Sequence, residues 1–224
     1  MDPKGIILQN PSNRLNTETV VEVKNLSKSF GDNFVLKNFN FELKNGESVV
    51  VLGKSGSGKS VFIKCLIGLI KGDSGSIQIL GQNINMLSQD GLDEMRSKIG
   101  FLFQSNALYD SMTVRENLEF PLRRHGVEKT KDESNQLIME ALTNVGLVDT
   151  IDMMPSELSG GMKKRIALAR TLILKPQIIL YDEPTTGLDP VTGREISNLM
   201  LAIQKKYNTS SIIISHDMNC VKIV

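Results

Sequence analysis

The fold of this chain is organised around one glycine-rich octapeptide, Gly53-Lys54-Ser55-Gly56-Ser57-Gly58-Lys59-Ser60. It matches the pattern GxxxxGK[ST], follows the apolar run at 48–52 and precedes a segment with helical periodicity at 60–70. Glycines let backbone N–H groups approach phosphate oxygens without a Cβ clash, and the positive end of the following helix points at the same anion. This strand–loop–helix context predicts a phosphate-binding loop.

Two side chains of the phosphate loop have predicted roles. Lys59 is expected to reach the β- and γ-phosphates of a nucleotide, and Ser60 to ligate Mg²⁺ through its hydroxyl. The alternative is a chance Gly/Ser connection between a strand and a helix. All eight positions and both flanking segments fit the pattern, which argues against that alternative. The loop alone leaves kinases, GTPases, helicases and transporter ATPases open.

A second acidic motif follows the apolar run at 178–181. Asp182 would stand at the carboxyl end of a buried strand, where doubly wound sheets bind ligands, and is predicted to hold Mg²⁺ through water. Glu183 is predicted to polarise the attacking water as general base. In isolation, a strand that ends in a solvated acidic turn is a common alternative.

Two further polar residues end apolar runs. His216 follows the run at 211–214, and Gln104 follows the run at 99–103. If the strand before His216 is parallel to the other buried strands, the histidine emerges at the same sheet edge, which favours a γ-phosphate-sensing role over a structural one. The amide of Gln104 is predicted to contact Mg²⁺ or the attacking water, with an ordinary surface glutamine as the alternative.

The order of apolar patterns predicts an α/β chain. Continuous β-branched runs at 48–52, 178–181 and 212–214 are typical of buried parallel strands, and the alternation at 76–80 is typical of a half-exposed antiparallel strand. The predicted fold class is a phosphate-loop core with a mixed or parallel sheet, an N-terminal antiparallel part and an inserted helical subdomain. The predicted division is a loose arm at 1–19, a core at 20–104 and 165–224, and a helical subdomain at 105–164.

Composition excludes few function classes. The chain has 224 residues and a formal net charge of +1, which indicates no nucleic-acid partner. The basic clusters Arg123-Arg124 and Lys163-Lys164-Arg165 are interpreted as solvated faces. Two cysteines indicate neither a disulfide framework nor a zinc site. No apolar run approaches the ~20 residues of a membrane span, and the N-terminus lacks the apolar stretch of a signal peptide.

One more motif, Leu158-Ser159-Gly160-Gly161-Met162, precedes a helical segment. Taken alone, it is an anion site or merely a helix N-cap. Together with the phosphate loop, Gln104, the YDEP motif at 181–184 and His216, in this order, it resembles the nucleotide-binding domain of ABC transporters. The resemblance covers about 20–224.

The resemblance implies ATP and Mg²⁺ as cofactors, and roles for matching residues. Phe30 would stack on adenine, and Gln104 would begin the loop that leads to an integral-membrane permease. Ser159, Gly160 and Gly161 would contact the γ-phosphate bound to the opposite subunit of a head-to-tail dimer. Gly187-Leu188-Asp189 would face that dimer, and His216 would be the switch histidine. The chain would act at the cytoplasmic side of the inner or plasma membrane, held there by the permease.

A narrower resemblance concerns the transported substrate. Met162 stands where most ABC sequences have glutamine, and with the segment FLFQSNALYDSMTVRENLEFPLR at 101–123 it is similar to the ATPases of MCE-type, Mla-like lipid transporters. This adds an MCE-domain protein as a further partner, with residues 105–114 facing the permease. The alternative is a soluble ABC ATPase acting on a cytosolic assembly such as an iron–sulfur scaffold. Family members normally continue past the helix after His216, so C-terminal elements are expected to be missing.

Overall fold

A computed structural model of the chain describes residues 7–9, 18–54, 56–125 and 130–224. Its strands are β1 (Ile7–Gln9), β2 (Thr19–Phe30), β3 (Asn33–Lys44), β4 (Ser48–Val51), β5 (Ser74–Ile79), β6 (Gln82–Asn83), β7 (Ile99–Leu102), β8 (Ile178–Asp182) and β9 (Ser210–Ile214). Its helices are α1 (Lys59–Leu66), α2 (Gln89–Ser97), α3 (Val114–Arg124), α4 (Lys131–Val145), α5 (Gly160–Leu172), α6 (Pro190–Tyr207) and α7 (Met218–Ile223). Short 3₁₀ turns lie at 84–86, 148–150 and 155–157.

The central sheet has the strand order β1-β4-β9-β8-β7. Strands β4, β9, β8 and β7 are mutually parallel, and β4 and β9 are buried along their whole length. Since all four strands run the same way, their carboxyl ends meet at one edge. The predicted α/β class and its parallel core are confirmed.

The N-terminal residues differ from the predicted loose arm. Ile7–Gln9 forms an antiparallel edge strand that pairs with residues 49–51 of β4, and β2 begins at Thr19. The prediction was wrong at these positions. It relied on the polar composition of the segment, whereas an edge strand pairs through its backbone N–H and C=O groups. The rest of the arm, 1–6 and 10–17, lies outside the described residues.

A second, antiparallel sheet has the order β3-β2-β5-β6. Its alternation is as predicted for β5, where Ile77 and Ile79 are buried while their neighbours are more exposed. The inner face of this sheet packs against β4 and α1, where Phe41 contacts Phe62 with ring centroids 5.2 Å apart. The antiparallel sheet therefore covers α1, the helix that follows the phosphate loop.

The helices between β7 and β8 pack around a separate apolar cluster that includes Leu118, Ile138, Leu142 and Ile166. The predicted capping box of α3 is present, because Thr113 and Glu116 each accept from the other's backbone N–H. Helix α5 contributes to this cluster and also, through Leu168, to the core beside β8. It thus spans the predicted boundary at 164–165, and the division itself stays a prediction.

Three smaller observations complete the fold. Helix α2 was not predicted; Ser88 caps it by accepting from the Gly91 N–H. Cys65 and Cys220 are buried and unpaired, in agreement with the absence of a disulfide framework. Within the described part of the chain, every helix is too short or too polar to cross a membrane.

Candidate functional site

The carboxyl edge of the parallel sheet opens into a cleft of about 610 Å³. The cleft is lined by residues from the phosphate loop, from the ends of β7, β8 and β9, and from the tip of the antiparallel sheet: Phe30, Val35, Gly53, Lys54, Gly56, Ser57, Gly58, Lys59, Ser60, Val61, Gln104, Asp182, Glu183, Ile214 and His216. Residues up to 186 positions apart in the sequence thus meet at the predicted sheet edge. Ser55 lies outside the described residues.

Two glycines give the phosphate loop its shape. Gly56 and Gly58 have φ of 78° and 92°, in the left-handed region that other residues enter only with strain. A Cβ on Gly58 would lie 2.9 Å from Cγ1 and 3.0 Å from the carbonyl oxygen of Val35. No side chain caps the first turn of α1. Its first N–H groups therefore face the loop, as an anion site requires.

The Lys59 side chain lies across the same loop. Its ammonium donates to the carbonyl oxygens of Gly53 at 2.5 Å and Lys54 at 3.0 Å. The cation is therefore held within the glycine-rich cradle, beside the N-terminus of α1. The combination of an ammonium and a helix N-terminus makes this end of the cleft suited to a phosphate group.

Asp182 and Glu183 stand together at the end of β8. Burial, and next the charge of Glu183, raise the pKa of Asp182, while the nearby charge of Lys59 lowers it. A divalent cation would relieve this charge crowding. Together with Ser60 and Gln104, which line the same cleft, Asp182 offers oxygen donors of the type that Mg²⁺ prefers. The residues present therefore fit the metal that the sequence predicts.

The Glu183 carboxylate is held in one orientation. Its Oε2 atom accepts from Nδ1 of His216 at 2.8 Å and from Oγ1 of Thr186 at 3.3 Å. The backbone of Glu183 has a φ of 49°, and its N–H donates to the Ile214 carbonyl at 2.9 Å. The Glu183 side chain is 13% exposed, whereas that of His216 is 68% exposed. The carboxylate thus lies inside the cleft, and the imidazole lies at its mouth.

A neighbouring pair that the sequence analysis missed braces these two residues. Asp217 accepts from Oγ1 of Thr185 at 2.9 Å and from the Asn219 N–H at 2.9 Å. The first bond joins the segment after Glu183 to the segment after His216. It therefore helps to keep the Glu183–His216 contact in register.

The motif at 159–161 is not part of the cleft. Ser159 caps α5 by accepting from the Met162 N–H at 3.2 Å. Gly161 lies close to the first turn of α6, since a Cβ there would be 2.7 Å from Cγ2 of Thr192. Within one copy of the chain, Ser159, Gly160 and Gly161 do not reach the phosphate loop. Their predicted role at the site of another copy stays a prediction.

The interpretation of the basic cluster at 163–165 as a solvated face was wrong for one of its residues. Arg123 and Arg124 are exposed, as predicted, but Lys164 is 2% exposed and does not belong to a solvated face. Lys164 shares one helical face with Ala167 and Leu168, and this face packs into the protein. The spacing of i, i+3 and i+4 was the available signal, and the charge run concealed it.

Comparisons with known proteins identify the family. The ABC transporter family profile matches residues 36–186. A relative from Mycobacterium leprae, named "Probable ribonucleotide transport ATP-binding protein mkl", is 43% identical over 94% of this chain. The "Intermembrane phospholipid transport system ATP-binding protein MlaF" of Haemophilus influenzae is 38% identical over 90% of this chain and 76% of its own length.

Solved structures give the same result. A dimeric structure of the ATP-binding cassette MJ0796 in a post-hydrolysis state, bound to ADP and Pi, has a TM-score of 0.80 and 34% identity, and covers 91% of this chain and 90% of its own. The structure of cbiO1 from Clostridium perfringens has a TM-score of 0.82 and 32% identity, and covers 89% and 79%. The present chain spans 60% of the length of the M. leprae relative and 56% of that of the Mycobacterium tuberculosis relative.

Proposed function

This chain belongs to the ABC transporter family, and we propose that it is the subunit that binds and hydrolyses ATP to drive a membrane transporter. One observation carries the proposal. A single cleft brings the phosphate loop together with Gln104, Asp182, Glu183 and His216. A phosphate site, a set of hard oxygen donors and an oriented carboxylate are the parts that hydrolysis of a nucleoside triphosphate requires.

Each part has a proposed role. Phe30, which is half exposed at the cleft margin, stacks on the adenine. Backbone N–H groups of residues 53–60 and the Lys59 ammonium bind the phosphates. Ser60, Gln104 and Asp182 hold Mg²⁺, which when bound neutralises charge on the phosphate oxygens.

Hydrolysis depends on the Glu183–His216 pair. The Glu183 carboxylate accepts a proton from the attacking water as general base. His216 orients that carboxylate through its Nδ1 atom, and the exposed remainder of its ring contacts the γ-phosphate. This division of roles follows from the burial of Glu183 and the exposure of His216.

Two copies are proposed to act together, head to tail. Ser159, Gly160 and Gly161 lie outside the cleft of their own chain, so a second copy is needed to bring them to a γ-phosphate. The dimeric form of MJ0796 supports an assembly of two copies. The Gln104 loop and α3 and α4 then contact the integral-membrane permease at the cytoplasmic side of the membrane.

The proposed substrate class is phospholipids or related lipids. The support is the LSGGM form of the motif at 158–162 and the similarity to MlaF. An MCE-domain protein is the accompanying partner. The measurement is co-purification from detergent-solubilised membranes with the tagged full-length protein. Recovery of an integral-membrane permease and an MCE-domain protein is expected, and a complex made only of soluble proteins would contradict the transport proposal.

The ATPase proposal is tested by phosphate release from Mg·ATP. Glu183→Gln is expected to lower the steady-state rate by about 10²–10⁴-fold, because the general base is lost, while ATP binding remains. Glu119→Gln is the matched control, since Glu119 is a half-buried glutamate on α3 that does not line the cleft. A Glu183→Gln protein that turns over like the control would show that the base is misassigned.

A further inference from the structure

The segment between β7 and α3, residues 103–113 and here called the Gln104 loop, has little backbone structure of its own. Two backbone hydrogen bonds lie within it, from the Asn106 N–H to Phe103 and from the Met112 N–H to Tyr109. Asn106 and Ala107 have φ of 63° and 53°, in the left-handed region. Asparagine adopts this conformation readily, but an alanine persists there only when surrounding contacts impose it. The loop is therefore shaped from outside.

Side chains of two helices supply those contacts. Asn117 of α3 donates to the carbonyl oxygens of Tyr109 and Met112 and accepts from the Tyr109 N–H, all within 3.1 Å. Arg170 of α5 donates to the Ala107 carbonyl at 2.7 Å. These bonds hold the middle and the far end of the loop.

Lys164 of α5 holds the near end. Its ammonium donates to the carbonyl of Gln104 at 3.0 Å and lies 3.5 Å from that of Phe103. Gln104 is the loop residue that lines the cleft. Of the three side chains from α3 and α5, Lys164 is the one that bonds the backbone of a cleft residue directly.

Packing does not account for an ammonium at this place. Lys164 is 2% exposed, and no carboxylate within the described ranges forms an ion pair with it. Burial lowers the pKa of Lys164 to about 8, against the attraction of the more distant Asp182. A methionine has nearly the same shape and would fill the slot without the cost of burying a charge. What the ammonium adds is donation to the Gln104 loop.

The position of Lys164 along α5 gives this contact a second consequence. Ser159 caps the helix and Lys164 lies five residues later, so both belong to its first two turns. The helix is uninterrupted between these two residues. One continuous stretch of helix therefore connects the end formed by Ser159, Gly160 and Gly161 to the side chain that bonds the Gln104 carbonyl.

We infer that Lys164 is a positioning residue that fixes Gln104 in the cleft and links the N-terminal end of α5 to the Gln104 loop. The inference rests on the proposed function, in which residues 159–161 meet the nucleotide of a second copy. ATP bound by one copy then adjusts Gln104 in the other copy through α5 and the Lys164 ammonium. The two sites of the dimer are coupled by this contact.

The test compares Lys164→Met, Lys164→Gln and the control Lys163→Met in the full chain. The Lys163 ammonium forms no hydrogen bond or ion pair in the described part of the structure. Lys164→Met is expected to lower kcat for Mg·ATP by about tenfold or more, because Gln104 is misplaced, with KM within about twofold. Lys164→Gln keeps a donor and is expected to restore kcat to within about threefold of wild type.

Two readouts separate positioning from folding. Hydrogen exchange of the amides at 104–112 should be faster in Lys164→Met and near wild type in Lys164→Gln and Lys163→Met. The melting temperature of Lys164→Met should be unchanged or higher, because a buried charge has been removed. Should Lys164→Met not fold, Lys164→Gln decides alone: a folded protein whose kcat falls while the amides at 104–112 keep wild-type protection would overturn the inference.

The outcomes also distinguish this inference from the proposed function. If wild type itself shows no ATP turnover, the proposed function fails. If wild type is active and Lys164→Met matches Lys163→Met in kcat and in loop exchange, the inference fails while the ATPase proposal stands. Equal loss of kcat in the Met and Gln variants, with wild-type loop protection, would also refute a donor role.

Discussion

The phosphate loop and the Gln104 loop border the same cleft, and both follow a parallel strand of the central sheet. Their shapes have different origins. The phosphate loop is shaped by its own residues, since Gly56 and Gly58 supply the left-handed turns. The Gln104 loop is shaped by Asn117 of α3, the helix that follows it, and by Lys164 and Arg170 of α5, which lie 60 and 63 positions from the loop residues they bond.

Two parts of one site can therefore differ in how far their shape is determined by their own residues. A left-handed glycine has its preference wherever it occurs. A carbonyl held by a buried side chain has a partner only after the helices have packed. Substitutions in the phosphate loop should therefore act through backbone strain, and substitutions around the Gln104 loop through lost hydrogen bonds.

The largest effect on stability is expected at Gly58. Gly58→Ala combines about 1–2 kcal/mol of left-handed strain with about 1–3 kcal/mol from the contact with Val35, so the free energy of unfolding should fall by about 3 kcal/mol. Gly56→Ala meets no atom within 4 Å and should lose only about 1 kcal/mol, from strain. Urea unfolding of both variants gives the comparison. Equal losses would mean that Val35 does not restrict this loop.

An intermediate effect is expected at Asn117, which is fully buried. Asn117→Ala leaves backbone groups of the Gln104 loop without partners and should lower the free energy of unfolding by about 2 kcal/mol. Asn135→Ala, at an exposed site on α4, should change it by less than about 0.5 kcal/mol. Urea unfolding and amide exchange of residues 109–113 measure both. A loss no greater than in the control would show that the loop holds its shape without Asn117.

The smallest effect is expected at Arg170. Its guanidinium bonds the Ala107 and Asn106 carbonyls and lies 5.7 Å from the Tyr109 ring centroid. Arg170→Lys keeps the charge but loses the donation to two carbonyl groups at once and part of the ring contact. The free energy of unfolding should fall by about 0.5–1 kcal/mol. Arg124→Lys, at an exposed site, is the control for thermal unfolding. A loss larger than that of Asn117→Ala would reverse the ranking of the two anchors.

The parts of the site that were predicted share a local signature. The loop at 53–60, the acidic pair at 182–183 and His216 each follow an apolar run, so their meeting at one edge follows once the strands are parallel. The capping box of α3 could also be predicted, because Thr113 and Glu116 are only three residues apart.

The parts that were missed depend on distant contacts. The strand Ile7–Gln9 pairs with the edge of β4, and the short apolar run Ile-Ile-Leu at 6–8 does not by itself identify that partner. The bond between Thr185 and Asp217 joins residues 32 positions apart. In the sequence, Lys164 is one of three consecutive basic residues, and this charge run concealed its burial. Its contact with Gln104 spans 60 positions.

The linear order of residues was enough to specify the α/β class, the phosphate loop and the side chains that gather in the cleft. Glycine torsions, capping pairs and apolar periodicity act over a few residues, so they can be recognised in a single sequence. Tertiary packing alone decided that α5 buries Lys164 beside the Gln104 carbonyl. Such contacts depend on which faces of distant elements meet, and that is settled only when the whole core assembles.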